Sequence, residues 1–421
     1  QGTREFGDLK DNGWGTTVNA ALPFGLRRLG NGKVVIGYDR QTKQRDNYYR
    51  RFGFHPASTD PNLLLMPPDT VFGSGSFDGG PGTGYVEETT LNSDKYTDNY
   101  QASQKVDAGF VNLDLPFGRR VRGSFGVRVE RGFQDVRSFA LFKPEVTLQE
   151  GKLEKTDWLP SANVTWALSQ VINLRVAASR TLSRPDLNEL SPSPSVEYQN
   201  GFLLLGNTRL GRARIENYDI RLEAFPSLSE VFAVGVFTKR LHHPIEQVIE
   251  GSADRLLKPF NTDEGTNQGI ELEARTGLGR LWRRLDRLSV NTNASFISSR
   301  VRVGALSKQG SGTHPLQGQA DYLLNGALSY TSAGGGADMS LLFSATGKRL
   351  KALGFYPLPD IYEQPLATLD ATLAWTPLHG TRLKFAAKNL LDRRVRTLQG
   401  VREAGGYRAG RGYSVALSYG S

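Results

Sequence analysis

The chain has no cysteine among its 421 residues and no long apolar run. Without cysteine, a disulfide framework, a thiolate metal site and a thiol nucleophile are excluded. No stretch approaches the roughly 18 consecutive apolar residues that a transmembrane helix needs, and helical periodicity is scarce. These absences exclude a helical membrane protein and a small disulfide-bonded domain.

Motifs for catalysis and metal binding are also missing. The chain has 5 histidines, and two of them, His242 and His243, are adjacent, so on a strand they face opposite sides and do not chelate one ion together. There is no HExxH sequence for zinc and no GxSxG sequence for a hydrolase. Gly73–Gly75 and Gly277–Gly279 lack the strand–GxGxxG–helix context of a phosphate site. The sequence therefore predicts no enzyme, no metal site and no cofactor.

Basic residues exceed acidic ones, with 52 Lys and Arg against 42 Asp and Glu and a net charge of +10. These cations are scattered, whereas nucleic-acid-binding proteins carry them in a clustered footprint. Nucleic acid is therefore not predicted as a partner. Scattered cations are typical of loops that face phosphate-rich lipopolysaccharide, or of the wall of a water-filled lumen.

Strand periodicity is what the chain does have, most clearly between residues 367 and 388. Apolar and polar residues alternate almost strictly, with Leu373 on one side and Thr372 on the other. After a turn at residues 378–380, one face of the next strand carries three cations. Unpaired charge is costly in a protein core, but it is easily placed in a lumen while the other face of the strand meets lipid.

Fifteen segments show this strand pattern, from residues 14–22 to residues 413–419. The connections after odd-numbered segments are short, and those after even-numbered segments are mostly long. Outer-membrane barrels have this asymmetry, with short periplasmic turns and long outward loops. The sequence therefore predicts an all-β, transmembrane antiparallel β-barrel in the outer membrane of a Gram-negative bacterium, with its C-terminus in the periplasm.

Several short motifs resemble one known family. GKRL, LPDIYEQP, LDATLAW and KNLLDRRV occur in that order near the end of the chain, after LPSANVTWAL, LRVAASRTLSRPDLNELSP and NQGIELEART. Together they resemble the barrel of TonB-dependent outer-membrane receptors over roughly residues 105–419. The resemblance implies a 22-stranded barrel filled by an N-terminal plug domain. Residues 1–421 would then form the C-terminal part of that barrel as one domain, without the plug and about seven strands. A complete barrel of 14 or 16 strands is the alternative.

The resemblance also implies a function. Such a receptor binds a scarce nutrient, such as a siderophore, a vitamin or an oligosaccharide, through its extracellular loops. It imports this ligand with energy from an inner-membrane TonB-type protein, which contacts the N-terminal part. The barrel itself is surrounded by outer-membrane lipid and lipopolysaccharide. A passive porin-like channel and a surface barrel with an adhesion or assembly role remain alternatives.

Three sets of side chains follow as candidate sites. An aromatic girdle at the membrane surfaces is predicted for Trp14, Trp166, Phe225, Tyr330, Trp375 and Tyr419. Lumen-facing charges that compensate one another are predicted for Arg128, Arg175, Asp219, Arg221, Glu223, Glu271, Glu273, Asp370, Arg382, Lys384 and Lys388. Ligand contacts in outward loops are predicted for Arg180, Arg184, Tyr198, His314, Tyr356 and Tyr362.

Overall fold

Strands dominate this computed structural model, which describes residues 2–26, 30–55, 65–67, 70, 84–89, 99–140, 143–197, 202–250, 256–302, 312–354, 358–378 and 380–419. One antiparallel sheet contains 17 strands, and two further sheets contain 4 strands each. Across these ranges, no helix is both long and apolar enough to cross a membrane.

Fifteen of the 17 strands pair with one another in chain order. They are β1 (Gly2–Leu26), β2 (Gly30–His55), β4 (Tyr100–Pro116), β5 (Val121–Ala140), β6 (Lys143–Ala167), β7 (Ile172–Ser183), β10 (Ala213–Ala224), β11 (Val231–His242), β14 (Glu264–Gly277), β15 (Leu288–Arg302), β17 (Tyr322–Thr331), β18 (Ala337–Thr346), β21 (Leu366–Leu378), β22 (Thr381–Lys388) and β25 (Gly412–Tyr419). The other two, β3 (Tyr85–Thr89) and β16 (Thr313–His314), pair with the ends of β2 and β15.

Each of the fifteen strands overlaps one of the predicted segments, and the all-β antiparallel fold is confirmed. Within the described residues, β1 and β25 each pair on one side only. The number of strands in the closed barrel therefore stays a prediction.

The connections of this sheet differ in length at its two ends. At one end, which we call the turn end, β4 joins β5 through residues 117–120, β6 joins β7 through residues 168–171, and β21 joins β22 through residues 379–380. Gly380 has a φ of 77°, a conformation that favours glycine in so tight a turn. At the opposite loop end, most connections are long, as predicted. The exception follows β5, because β5 and β6 continue as a hairpin to Ala140 and Lys143.

The long connections contain the two small sheets. Strands β8 (Pro194–Glu197), β9 (Phe202–Leu205), β12 (Ile245–Glu250) and β13 (Leu256–Asn261) form one, and β19 (Arg349–Ala352), β20 (Ile361–Glu363), β23 (Val395–Gln399) and β24 (Arg402–Tyr407) form the other. Helix α1 (Leu187–Leu190) lies ahead of β8. Short 3₁₀ helices at Leu278–Arg280, Arg283–Leu285 and Ala333–Gly335 lie in turn-end connections.

The two faces of the large sheet differ in chemistry. One face, which we call the outer face, carries the neighbours Leu222, Val234 and Leu272, which are between 42% and 50% exposed. The next position along β10 turns Glu223 to the opposite, inner face, where its neighbour two strands away is Glu273. Large apolar side chains are thus displayed to the surroundings and charged ones are turned inward. This is the alternation that a strand between lipid and water requires.

Several strands are much longer than a bilayer requires. Strands β1, β2 and β6 contain 25, 26 and 25 residues, whereas about 9–11 residues cross the hydrocarbon layer. Trp166 lies one residue before the turn-end limit of β6 and is 47% exposed on the outer face. The predicted girdle position of Trp166 would place the surplus length of β6 at the loop end.

Candidate functional site

The long connections at the loop end pack on one another and on the inner face. We call their described residues within 184–212, 243–263, 312–321, 347–354 and 358–365 the loop cap. The cap contributes to all three clusters of buried apolar side chains found in the described part of the chain. One cluster joins cap and wall: Tyr100, Ala102, Val136, Leu187, Leu190 and Leu210. The other two lie within the cap: Ile249, Leu257, Ala352 and Ile361, and beside them Val248, Leu350 and Leu353.

Helix α1 attaches the first of these connections to the wall. It starts with a capping box, in which the Asp186 side chain accepts from the first-turn backbone and the Glu189 side chain accepts from the Asp186 backbone N–H. Arg45 on the inner face of β2 lies 3.5 Å from Asp186. Leu187 and Leu190, which are 1% and 0% exposed, are buried against the inner face.

Separate connections of the cap are bonded to each other. Val248 pairs with Leu353 in a parallel bridge, which ties the connection after β11 to the one after β18. Gln317, in the connection after β15, accepts from Gln247 N at 2.6 Å and donates from Nε2 to Gln247 O. Three connections are therefore joined by hydrogen bonds as well as by apolar packing.

A buried acid and a buried imidazole meet at this junction. Glu246 and His314 are 1% and 5% exposed, and Nε2 of His314 lies 3.1 Å from Oε2 of Glu246. Burial raises the pKa of Glu246 to about 7, partly opposed by the hydrogen bond that Oε1 accepts from Gln317 N. Burial lowers the pKa of His314, whose Nδ1 lies 2.8 Å from Pro315 O. Both pKa shifts favour the uncharged form of each side chain. With Nδ1–H donating to Pro315 O, Nε2 of His314 faces Glu246 as an acceptor.

Below the cap, the inner wall carries paired charges. Arg128 lies 2.9 Å from Asp39 and 2.8 Å from Glu130. Glu223 lies 2.8 Å from Arg175 and 3.0 Å from Arg221. Arg221 also pairs with Glu273, and Arg382 pairs with Asp338. Arg212 of the cap pairs with Asp157 of the wall. Asp370 accepts from Asn389 N at 2.7 Å. These residues of the wall therefore compensate one another's charge.

A cavity of about 230 Å³ lies between the cap and the wall. Arg45, Asn47 and Tyr100 line it from the wall, and Ser193 and Gln247 line it from the cap. Its lining mixes hydrogen-bonding groups with apolar side chains, which is usual for a small-molecule site. Among the described residues, no group of three or more His, Asp or Glu side chains is placed to hold a metal ion.

A family model described as TonB dependent receptor-like, beta-barrel matches residues 3–390. The chain belongs to the TonB-dependent receptor family. This family is a class of receptors and transporters, and its barrels lie in the outer membrane of Gram-negative bacteria. No curated protein sequence matches the chain.

Solved structures of TonB-dependent receptors share the fold. The chain is similar to the closed form of the ferric-catecholate import receptor Fiu from E. coli K12, with a TM-score of 0.66 and 12% identity over 98% of this chain and 55% of that one. The siderophore receptor PiuA from Acinetobacter baumannii matches with a TM-score of 0.65 and 11% identity, over 98% of this chain and 56% of that one. The unliganded ferric citrate transporter FecA matches with a TM-score of 0.65 and 13% identity, over 100% of this chain and 56% of that one. The chain thus spans little more than half the length of these receptors.

The predicted ligand contacts of this TonB-dependent receptor barrel lie in different places. Arg184 lies on the inner side, 2.5 Å from Glu130, where Gly132 leaves room for its guanidinium group. His314 is buried against Glu246, and Tyr362 is half-buried in the cap with Lys348 Nζ 4.0 Å from its ring centre. Tyr198 and Tyr356 lie outside the described residues.

Arg180 is placed differently from the other predicted ligand contacts. It pairs across strands with Glu216, two positions from the exposed Tyr218, and this puts it on the outer face. The structure therefore brings Arg184 and Tyr362 to the inner wall and cap but leaves Arg180 facing away from both.

Five of the six aromatic side chains predicted for the girdle lie near the turn end, and Trp14 lies in the middle of β1. Trp166, Phe225, Trp375 and Tyr419 are between 36% and 84% exposed at the turn end, and Tyr330 lies beside them in partial burial. Towards the loop end, Trp14 is 55% exposed and Arg40 lies 5.8 Å from its ring. Trp158, 63% exposed on the outer face of β6, was missed because the residues around it are charged and hide the strand pattern.

The remaining charged side chains that were predicted to face the lumen lie on the inner face and form no ion pair among the described residues. Within the described ranges, Asp219, Glu271, Lys384 and Lys388 have no ion pair. Cross-strand pairing places Lys384 opposite Ala416 and Glu271 opposite Gly235. The inner face between β11 and β25 is thus less compensated than the face between β2 and β10.

Proposed function

We propose that this chain forms the wall and the outer gate of an outer-membrane importer. The complete receptor would bind a scarce nutrient beneath its loops and take it up with energy supplied by an inner-membrane TonB-type protein. Family membership supports this function, and so does a sheet with apolar side chains on one face and paired charges on the other.

The packing of the loop cap is the observation that carries the proposal. A permanently open channel needs a hydrated path past its loops, whereas these loops are hydrogen-bonded to each other and packed on the inner wall through Leu187 and Leu190. A gate of this kind suits a protein that admits a bound ligand on demand. The small cavity under the cap supports an outer part of the ligand site there.

The ligand we propose is a small molecule of the siderophore type. The three receptors described above are, by their names, a ferric-catecholate import receptor, a siderophore receptor and a ferric citrate transporter. Arg45, Tyr100 and Arg184 are the side chains we propose as first contacts, since they line or border the inner side of the cap. Catecholates and carboxylates are anionic, and arginine binds such groups through paired N–H donors.

The orientation and the surroundings of the barrel are also part of the proposal. Tyr419 ends β25 beside Thr381 at the turn end, which supports a periplasmic C-terminus, because periplasmic turns are the short ones. Outer-membrane lipid and lipopolysaccharide would surround the apolar outer face. Residues 1–421 would act as one barrel domain, since 17 of the described strands belong to one large sheet and the others lie in its long connections.

Uptake measurements with the full-length receptor test this function. A host without its own receptors for ferric chelates is supplied with radioactive iron as a catecholate or citrate chelate. Uptake should require both the receptor and the TonB-type protein. Uptake that persists without the TonB-type protein, together with steady single-channel conductance in planar bilayers, would refute the importer and establish the porin-like alternative.

A further inference from the structure

The outer face changes from apolar to basic near the loop end of β7, β10, β11, β14 and β15. One cross-strand row there contains Ile220, Val236, Ile270 and Phe296, which are between 44% and 51% exposed. Four residues further along each strand, roughly 13 Å away, the row contains Arg180, Glu216, Arg240, Thr266 and Arg300. An apolar surface thus gives way to arginine within about one step of four residues along the strands, on the side of the loop end.

We call the charged residues at this edge the rim patch: Arg180, Arg214, Arg240, Arg300 and Arg302, with His242, Glu216 and Glu264. Five arginines against two glutamates leave three positive charges (5 − 2 = 3) with His242 neutral. They come from five neighbouring strands, and the register of these strands places them all on the outer face.

The glutamates neutralise the margins of the patch. Arg180 lies 3.5 Å from Glu216, and Arg302 lies 2.7 Å from Glu264. Arg240 and Arg300 are exposed on either side of Thr266, and neither has an ion pair in the described part of the chain. A groove of about 620 Å³ runs between them. Two guanidinium groups therefore flank an open groove at the centre of the patch.

We propose that the rim patch binds the phosphate groups of a phosphorylated lipid of the outer leaflet. Arginine presents a planar fork of N–H donors that matches phosphate oxygens, and a headgroup phosphate lies at the level where the apolar rows end. The acyl chains would lie on the row of Ile220, Val236 and Ile270 beneath the groove. Inorganic phosphate has no apolar part that could contact this row, so we assign the site to the lipid. The inference rests on the proposed outer-membrane location of the barrel.

Binding of a defined lipid to the purified full-length receptor tests the inference. Delipidated protein is titrated with bis-phosphorylated lipid A, and the bound lipid is counted by native mass spectrometry. The double variant Arg240→Gln/Arg300→Gln should bind it roughly 30-fold more weakly, since each arginine near a membrane surface contributes about a factor of five. Arg240→Lys/Arg300→Lys should give an intermediate loss, because lysine keeps the charge without the fork.

Three comparisons make the test specific. Arg283→Gln/Arg287→Gln removes the same charge from exposed positions at the turn end and should leave lipid binding unchanged. Lipid A without its phosphates should bind the wild type and the double variant equally weakly. Inorganic phosphate alone should not bind measurably.

Two results would overturn the assignment. The first is equal affinity of the wild type and the glutamine double variant for bis-phosphorylated lipid A. The second is arginine-dependent binding of inorganic phosphate without lipid, which would make the patch a simple anion site. In either case iron uptake would continue to require the TonB-type protein, so the importer function would stand. Loss of energy-dependent uptake in the wild-type experiment would instead refute the proposed function.

Discussion

Replacing Glu246 with glutamine should make the packing of the loop cap much less sensitive to pH. The buried carboxyl group accepts from Gln317 N and faces Nε2 of His314. A glutamine in the same position can accept the first hydrogen bond through its oxygen and donate to the imidazole through its amide. The substitution therefore keeps the contacts of the protonated acid and removes the ionisation.

The size of the effect follows from the pKa of Glu246, which burial raises from 4.5 to about 7. A raised pKa means that the closed cap binds this proton more tightly than the open cap. The stabilisation from the protonated acid is complete below pH 4.5 and is lost as the pH rises through about 7. The difference corresponds to about 3 kcal/mol, which is roughly a hundredfold change in the opening equilibrium.

His314 contributes a pH dependence of the opposite sign, since burial lowers its pKa. The closed cap then loses stability as the pH falls below 6.5. The nearby charge of Asp360 acts in the other direction and favours the protonated imidazole. Both influences remain when Glu246 is replaced. A comparison of wild type and variant at each pH therefore reports the ionisation of the carboxyl group together with its effect on the adjoining imidazole.

Hydrogen exchange of the backbone amides in β12, β13 and β16 measures the opening. After correction for intrinsic exchange rates, the variant should gain protection relative to wild type by roughly a hundredfold between pH 4.5 and pH 8. Asp263→Asn is the matched control, because this carboxyl group lies exposed in the same connection and should change nothing. A ratio of protection between variant and wild type that is the same at both pH values would refute the reasoning.

Three other experiments test the rest of the structure. A nitroxide on Leu373 of the reconstituted receptor should collide with oxygen in lipid, whereas one on Thr372 should collide with a water-soluble nickel complex; equal behaviour would contradict the two-faced sheet. Glu223→Gln should lower the stability of the barrel by about 1–2 kcal/mol, because two arginines of the wall lose their shared partner, and the unfolding temperature on electrophoresis reports it. Gly206→Ala places a Cβ 2.1 Å from Ser191 O, so it should destabilise the cap by about 2 kcal/mol. Proteolysis within residues 184–212 should then increase, and unchanged cleavage would contradict this packing.

Strand positions were predictable because one face of the sheet is apolar and the other is polar. Successive residues of a strand point to opposite faces, so apolar and polar residues alternate in the sequence. Leu222, Glu223 and their neighbours alternate strictly, and the register then follows from the short turns. The same rule shows why Arg180 lies outside. It is five residues from Arg175, and an odd separation along a strand reverses the face.

The loop cap was not predictable from such patterns. Strand β9 pairs in parallel with β13, and Val248 meets Leu353 more than a hundred residues away. These contacts depend on how separate connections pack against each other. The alternation of apolar and polar residues along one strand carries no information about such contacts. Glu246 shows the consequence, since nothing in the sequence around it indicates burial against a histidine from another connection.

Strand β6 is longer than a membrane crossing requires, and the surplus lies in its hairpin with β5. At about 3.3 Å per residue, the dozen or more residues by which β6 exceeds a bilayer crossing extend the hairpin of β5 and β6 tens of ångströms beyond the bilayer at the loop end. That distance is comparable to the layer of sugars that covers a Gram-negative cell. In the orientation that we propose, with the loop end outside the cell, antibodies and phages would reach the hairpin of β5 and β6 above the membrane, and shortening it by two residues on each strand would change their binding without altering the buried part of the wall.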